Sequence, residues 1–166
     1  MSGRLQAELK QRKPFRSLEE EAYLNLVRTE DALTQKQVEL FRTAGLSASQ
    51  YNVLRILRGA GPDGLPCGEI VERMVTRDPD MTRLLDRLEK RGLAARSREE
   101  KDRRVVMNRI TDEGLRVLKG LDAPLLELLS RELGHLGADK LRELVTLLEL
   151  AREPAPLGLP APRRRT

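Results

Sequence analysis

The chain holds one cysteine, Cys67, and one histidine, His135, in 166 residues. A single thiol closes no intramolecular disulfide, and one Cys with one His falls short of the ligand set of a structural zinc site. Tryptophan is absent, and two Tyr and two Phe are the only aromatics. So few rings leave little for stacking unpaired bases, which disfavours a reader of single-stranded RNA. No apolar run approaches the roughly 18 residues needed to span a bilayer. Met1 to Lys13 is polar and carries no apolar signal core. These absences point to a soluble, cytoplasmic chain with no membrane partner. There is no Gly-rich phosphate loop, and one His, one Cys and scattered carboxylates assemble no catalytic triad. An enzyme is not expected, and neither is a cofactor or a metal.

What is present is charge and leucine. Charged residues make up 34% and apolar residues 39%, enough for one domain with a sizeable core. The formal net charge of +5 suits an acidic partner, although Arg163, Arg164 and Arg165 account for three of those charges. The placement of the remaining basic residues therefore matters more than their sum.

There is no internal repeat. Residues 1–16 form an N-terminal arm in which Leu5 and Leu9 stand one helical turn apart, and Pro14 separates them from the long helix beyond. Residues 153–166, with four prolines and no apolar period, read as a disordered basic tail. Between them, Ser17 caps a long helix with Glu19, Glu20 and Glu21 in its first turn, and Leu26, Leu33 and Leu40 at heptad spacing. Gly45 ends it. Ser47-Ala48-Ser49-Gln50 is a capping box that opens a second helix, with Tyr51, Leu54 and Leu57 as its buried stripe. Gly59 to Gly64 reads as a loop. A short third helix comes after Cys67-Gly68, with Ile70, Val71 and Met74 as its apolar face. Asp78 as N-cap and Pro79 at the first helical position start a fourth, over 79–91. Gly92 and Leu93 stop it. Ala94 to Arg98 and Val105 to Ile110, joined by a charged stretch, form a β-hairpin. Thr111-Asp112-Glu113-Gly114 caps a leucine-rich fifth helix, and Asp139 to Arg152 forms a sixth. The fold class is mainly α with a small hairpin.

The fourth helix and the hairpin carry the chemistry. Met81, Leu84, Leu85 and Leu88 lie at i, i+3, i+4 and i+7 and must face inward. The opposite face then presents Asp80, Thr82, Arg83 and Arg87, with Arg77 just ahead of the cap. A short arginine-bearing face of this kind fits a major groove, where Arg pairs with guanine and Thr meets a thymine methyl. The hairpin concentrates Arg96, Arg98, Lys101, Arg103, Arg104 and Arg109 against Glu99, Glu100 and Asp102. A basic tip reaches phosphates or a narrow minor groove. Asp102 suits an ion pair that holds the tip's shape.

Three linked segments resemble the MarR family. Asp102-Arg103-Arg104 followed by Ile110-Thr111-Asp112-Glu113-Gly114 is similar to the family's wing signature, Asp-x-Arg, a spacer, then Leu-Thr-x-x-Gly. Leu84 to Leu93 resembles the second half of its recognition helix, and Leu46 to Leu57 the helix before the helix-turn-helix. Ile110 replaces the usual Leu, and Cys67-Gly68 stands where a Ser or Thr cap is common. The resemblance runs over residues 17–152. It implies a winged helix-turn-helix at about 47–110, with recognition helix 79–91 and wing 96–109, and dimerisation helices at about 17–45 and 111–152. It further implies a homodimer on a palindromic site in double-stranded DNA, acting as a repressor. Release would come from an oxidant or a small aromatic or phenolic effector, held by Tyr23, Leu26, Tyr51 and Leu54.

Plainer readings stand beside these. A charge run is usually a solvated face, and Arg87 has Asp86, Glu89 and Glu99 within reach as ion-pair partners. Cys67 is a redox candidate by its place at a helix N-terminus, or a small side chain packed at an indifferent cap. His135 reads as a surface or interface residue. Leu26, Leu33 and Leu40 are core or dimer seam, since the pattern is too short for an extended coiled coil. The chief rival is a winged helix that uses its wing on another protein.

Overall fold

The computed structural model describes residues 4–76, 78–98 and 105–153. Arg77, Lys101, Asp102, Arg103, Arg104 and the basic tail lie outside the described residues. Among those described, the helices are α1 (Arg4–Glu8), α2 (Leu18–Thr43), α3 (Ala48–Ala60), α4 (Cys67–Arg73), α5 (Met81–Lys90), α6 (Asp112–Leu133) and α7 (Gly137–Arg152). The strands are β1 (Leu65–Pro66), β2 (Ala94–Arg98) and β3 (Val106–Ile110). The chain divides into two compact units, residues 36–129 and residues 1–35 with 130–166.

The first unit contains the helix-helix-helix-hairpin order expected from sequence. Its core is Val53, Leu54 and Leu57 of α3, Ile70 of α4, the α5 stripe Met81, Leu84, Leu85 and Leu88, and Leu118 and Leu121 of α6. Phe41 stacks on Tyr51 with ring centroids 4.2 Å apart, so two of the four aromatics fasten the end of α2 to α3. Burial pushes the Tyr51 phenol above its ordinary pKa. The α3 capping box forms as read: Gln50 N–H donates to Ser47 Oγ at 3.2 Å, and Ser47 N–H donates to Gln50 Oε1 at 3.0 Å. Ser17 caps α2, its hydroxyl accepting from Glu20 N–H at 3.2 Å.

The three strands form one antiparallel sheet in the order β1-β3-β2. Leu65 pairs with Asn108, and Ala94 with Ile110. Strand β1 departs from the sequence reading, which placed no strand there. Two residues carry no period, and this strand exists only because β3 offers its free edge. Other boundaries shift too. The stretch Gly59–Gly64 is not all loop: α3 runs on to Ala60, and the break falls at Gly61, at φ +70° with Pro62 behind it. Helix α4 buries Ile70 but leaves Val71 exposed, and Met74 lies past its end in extended conformation. Helix α7 starts two residues before Asp139, at Gly137.

The largest correction concerns the start of α5. Asp80, not Asp78, is its N-cap, accepting from Arg83 N–H at 3.3 Å. Asp78 instead accepts from Asp80 N–H at 3.0 Å, closing a turn around Pro79. Two aspartates two residues apart compete for one cap, and the first is taken by the turn. At the other end, Gly92 at φ +68° stops the helix and Leu93 is buried, as read.

The second unit holds α1, the N-terminal part of α2, the end of α6, and α7. Its described residues bury little. Leu5 of α1 is buried, whereas α7 has no buried residue. Leu18, Tyr23, Leu26 and Val27 of α2 and Val145, Leu147 and Leu150 of α7 are exposed. His135 is exposed in a single 3-10 turn between α6 and α7.

The junction of sheet and α6 explains the Thr-x-x-Gly spacing. Thr111 N–H donates to Leu93 O at 3.1 Å, its hydroxyl donates to Gly92 O at 2.6 Å, and Gly114 N–H donates back to that hydroxyl at 3.1 Å. A Cβ on Gly114 would lie 2.3 Å from Leu93 O and 2.7 Å from Ile110 Cγ1. Gly120, on the same helix, has open space around it. Helix propensity alone favours Ala at both by up to about 1 kcal/mol. Gly120→Ala should therefore stabilise the chain slightly, while Gly114→Ala should destabilise it by about 1–3 kcal/mol through overpacking against backbone. Urea denaturation of the two variants checks the opposite signs.

Candidate nucleic-acid interface

Helix α5 separates its two faces cleanly. The stripe Met81, Leu84, Leu85 and Leu88 is buried, and Thr82, Arg83 and Arg87 point to solvent. The Arg83 side chain is 81% exposed. Its Nε lies 3.2 Å from Asp80 Oδ2, so the cap carboxylate also steadies the guanidinium at the helix mouth. Asp80, read as part of the binding face, thus caps α5 and pairs with Arg83. Arg87 donates from Nε to Arg83 O at 3.2 Å. Among the described residues, no ion pair joins Arg87 to Asp86 or Glu89. Arg98, at the open end of β2, is exposed. The structure therefore brings Thr82, Arg83 and Arg87 onto one solvent face.

Two wing arginines turn away from that role. Arg96, at one-quarter exposure, directs its guanidinium along α5: Nη1 lies 2.5 Å from Asp86 Oδ1 and 3.6 Å from Glu89 Oε2, and Nη2 donates to Thr82 O at 3.3 Å. Its Nε donates to Asn108 Oδ1 at 3.3 Å. Asn108, 1% exposed, in turn donates from Nδ2 to Leu65 O at 3.1 Å. Arg109 donates from Nε to Pro62 O at 2.8 Å and also bonds Ser97 Oγ. Composition counted both arginines with the basic tip, and charge alone gave no sign that they face inward. The one available signal was Asn108, a polar residue in a β-pattern position that alternation would bury.

Two further arginines tie long helices to this unit. Arg91 donates to Gly45 O at 2.6 Å and Ala44 O at 3.3 Å, satisfying carbonyls at the end of α2. Arg58 of α3 makes a bidentate pair with Asp122 of α6, at 3.0 and 2.9 Å. Tyr51 and Leu54 are packed in the core, while Tyr23 and Leu26 are exposed on α2. Cys67 is a half-buried free thiol at the first position of α4, with Pro66 in the cap position. No group of His, Cys, Asp and Glu among the described residues could hold a metal ion, and no described helix is long and apolar enough to cross a membrane.

A three-helix module with an antiparallel hairpin and an exposed basic helix face defines a winged helix-turn-helix DNA-binding regulator. The comparisons agree. The MarR family model matches residues 46–106. A MarR transcription factor from Planctomyces limnophilus, known from its crystal structure, is 48% identical over 82% of this chain and 98% of its own, with a TM-score of 0.64. The PcaV transcriptional regulator from Streptomyces coelicolor, crystallised with its natural ligand, is 30% identical over 73% of this chain and 86% of its own, with a TM-score of 0.62. The transcriptional repressor MdtR of Bacillus subtilis (strain 168) is 39% identical over 50% of this chain and 55% of its own. The chain spans little more than half the length of the first curated relatives it matches. This chain belongs to the MarR family, whose members are transcription factors rather than enzymes.

Asn108 is the buried link between Arg96 and β1. Asn108→Ala should remove the side-chain donor to Leu65 O and the acceptor of Arg96 Nε, lowering stability by about 1–3 kcal/mol. Thermal and urea denaturation read this out, and unchanged stability would show the link to be idle.

Proposed function

We propose that the chain is a homodimeric repressor that binds a palindromic operator in double-stranded DNA. The observation that carries this reading is the division of α5 into a buried apolar stripe and a solvent face bearing Thr82, Arg83 and Arg87. On this reading α5 enters the major groove. Arg83 pairs with a guanine edge, Thr82 meets a thymine methyl, and Asp80 holds Arg83 at the helix mouth. Arg77 and Arg87 flank them on phosphate or an adjacent base. The wing residues Arg98, Lys101, Arg103 and Arg104 take the backbone or the minor groove, with Asp102 holding the tip in shape.

The exposed apolar residues of α2 and α7 support the homodimer, because a monomer would leave them in water. Two-fold symmetry then sets one winged module on each half-site. Regulation by a small aromatic or phenolic effector, with Tyr23, Leu26, Tyr51 and Leu54 as candidate contacts, rests on family membership and on the ligand seen with PcaV. An oxidative signal would act through Cys67, the one thiol in the sequence. The cytoplasm is the compartment in which this function is proposed.

Selection of random duplexes by the purified chain at two salt concentrations tests the reading. It predicts a palindrome with half-sites about one helical turn apart and affinity that falls steeply with salt. Equal retention of all duplexes would overturn it. On the enriched duplex, Arg83→Ala should cost about 1–3 kcal/mol and relax preference at one base pair of each half-site. Arg104→Ala should weaken binding to most sequences and flatten the salt dependence if it meets phosphate. Titration at several salt concentrations distinguishes the two effects.

A further inference from the structure

We propose that Arg96 is a positioning residue for sequence recognition: it fixes how α5 is rotated against the wing without touching DNA itself. The inference rests on the reading that α5 and the hairpin bind duplex DNA together. The three groups that Arg96 holds on α5 are Thr82 O, Asp86 and Glu89. They stand at i, i+4 and i+7, one flank of the helix over two turns. A guanidinium fork on that flank resists rotation of α5 about its own axis, which a buried leucine stripe resists less sharply because apolar contacts are non-directional. One of its contacts is the carbonyl of Thr82, the residue next to Arg83, so the restraint acts where the recognition face begins.

The opposite end of the restraint is equally fixed. Arg96 Nε bonds Asn108 of β3, and Asn108 bonds Leu65 of β1. Arg98, two residues further along β2, is exposed. A chain of directional bonds thus runs from the recognition helix through β2 and β3 to β1. Its Nε and both Nη atoms are engaged within the fold, which leaves Arg96 little to offer a phosphate.

A role in positioning predicts loss of discrimination rather than loss of charge. The test compares Arg96→Ala, Arg96→Lys and Asp86→Asn with the wild-type chain on two probes. These are the duplex enriched by selection with the wild-type chain and a scrambled duplex of the same length and composition. Expected is a fall of about tenfold on the enriched duplex, the worth of one base contact moved out of register. Affinity for the scrambled duplex should change by no more than about twofold. Arg96→Lys should behave like Ala, because a point charge cannot make the forked contacts. Asp86→Asn should lose discrimination in the same direction.

Equal losses on both probes would make Arg96 a backbone contact and overturn the proposal. So would full rescue by Lys, or tighter binding of Asp86→Asn to both duplexes alike, since either assigns the pair to charge alone. If Arg96→Ala fails to fold, the Lys and Asp86→Asn variants carry the test. A wild-type chain that does not tell the two duplexes apart would instead refute the operator reading itself.

Discussion

The geometry of the winged module depends on the polar chain that joins α5 to the sheet. Leucine burial holds α5 against α3 and α4, but apolar contacts are non-directional and restrain rotation of a short helix less sharply than directional bonds do. The contacts of Arg96 with Thr82, Asp86 and Glu89, continued through Asn108 to Leu65, supply such bonds. Gly64 makes the same junction possible. At φ +70° it brings β1 so close to β3 that a Cβ would lie 2.4 Å from Asn108 O. A two-residue strand, an inward arginine and a buried asparagine are therefore parts of one device. The outward arginines inherit their positions from it.

Around this device, arginines serve two opposed purposes in neighbouring places. Arg83, Arg87 and Arg98 face solvent, whereas Arg58, Arg91, Arg96 and Arg109 satisfy carboxylates and carbonyls inside the module. The fork geometry of Arg suits both tasks. Within the module, Arg91 satisfies carbonyls just past the end of α2, and Arg58 pairs with Asp122 in the middle of α6. Among its described residues the second unit buries little, and the leucines and valines it exposes are those that the proposed homodimer would cover.

The elements with strong local signals were legible in the sequence. Capping at Ser17, the Ser47–Gln50 box, the Met81–Leu88 stripe, the Gly92 stop and the Thr111–Gly114 motif all appear where their residue types require. What escaped depended on partners distant in the chain. β1 needs β3, and the inward turn of Arg96 needs Asp86, which sits ten residues earlier on another element. The choice of Asp80 over Asp78 as cap needed the turn at Pro79 to be seen closed. The solvent face of α5 that bears Thr82, Arg83 and Arg87 was legible because the buried stripe fixes which face remains. The engagement of Arg96 and Arg109 within the fold was not legible, because a count of basic residues carries no direction.

Chemical protection of the enriched duplex tests the account most directly, since it reports which groove each element occupies. If α5 lies in the major groove with Arg83 on a guanine edge, dimethyl sulfate should find guanine N7 protected in two half-sites about one turn apart. Hydroxyl radicals should find protected backbone beside them, where the wings lie. Backbone protection with every guanine N7 still reactive would contradict the account, because the helix face would then not be reading the bases.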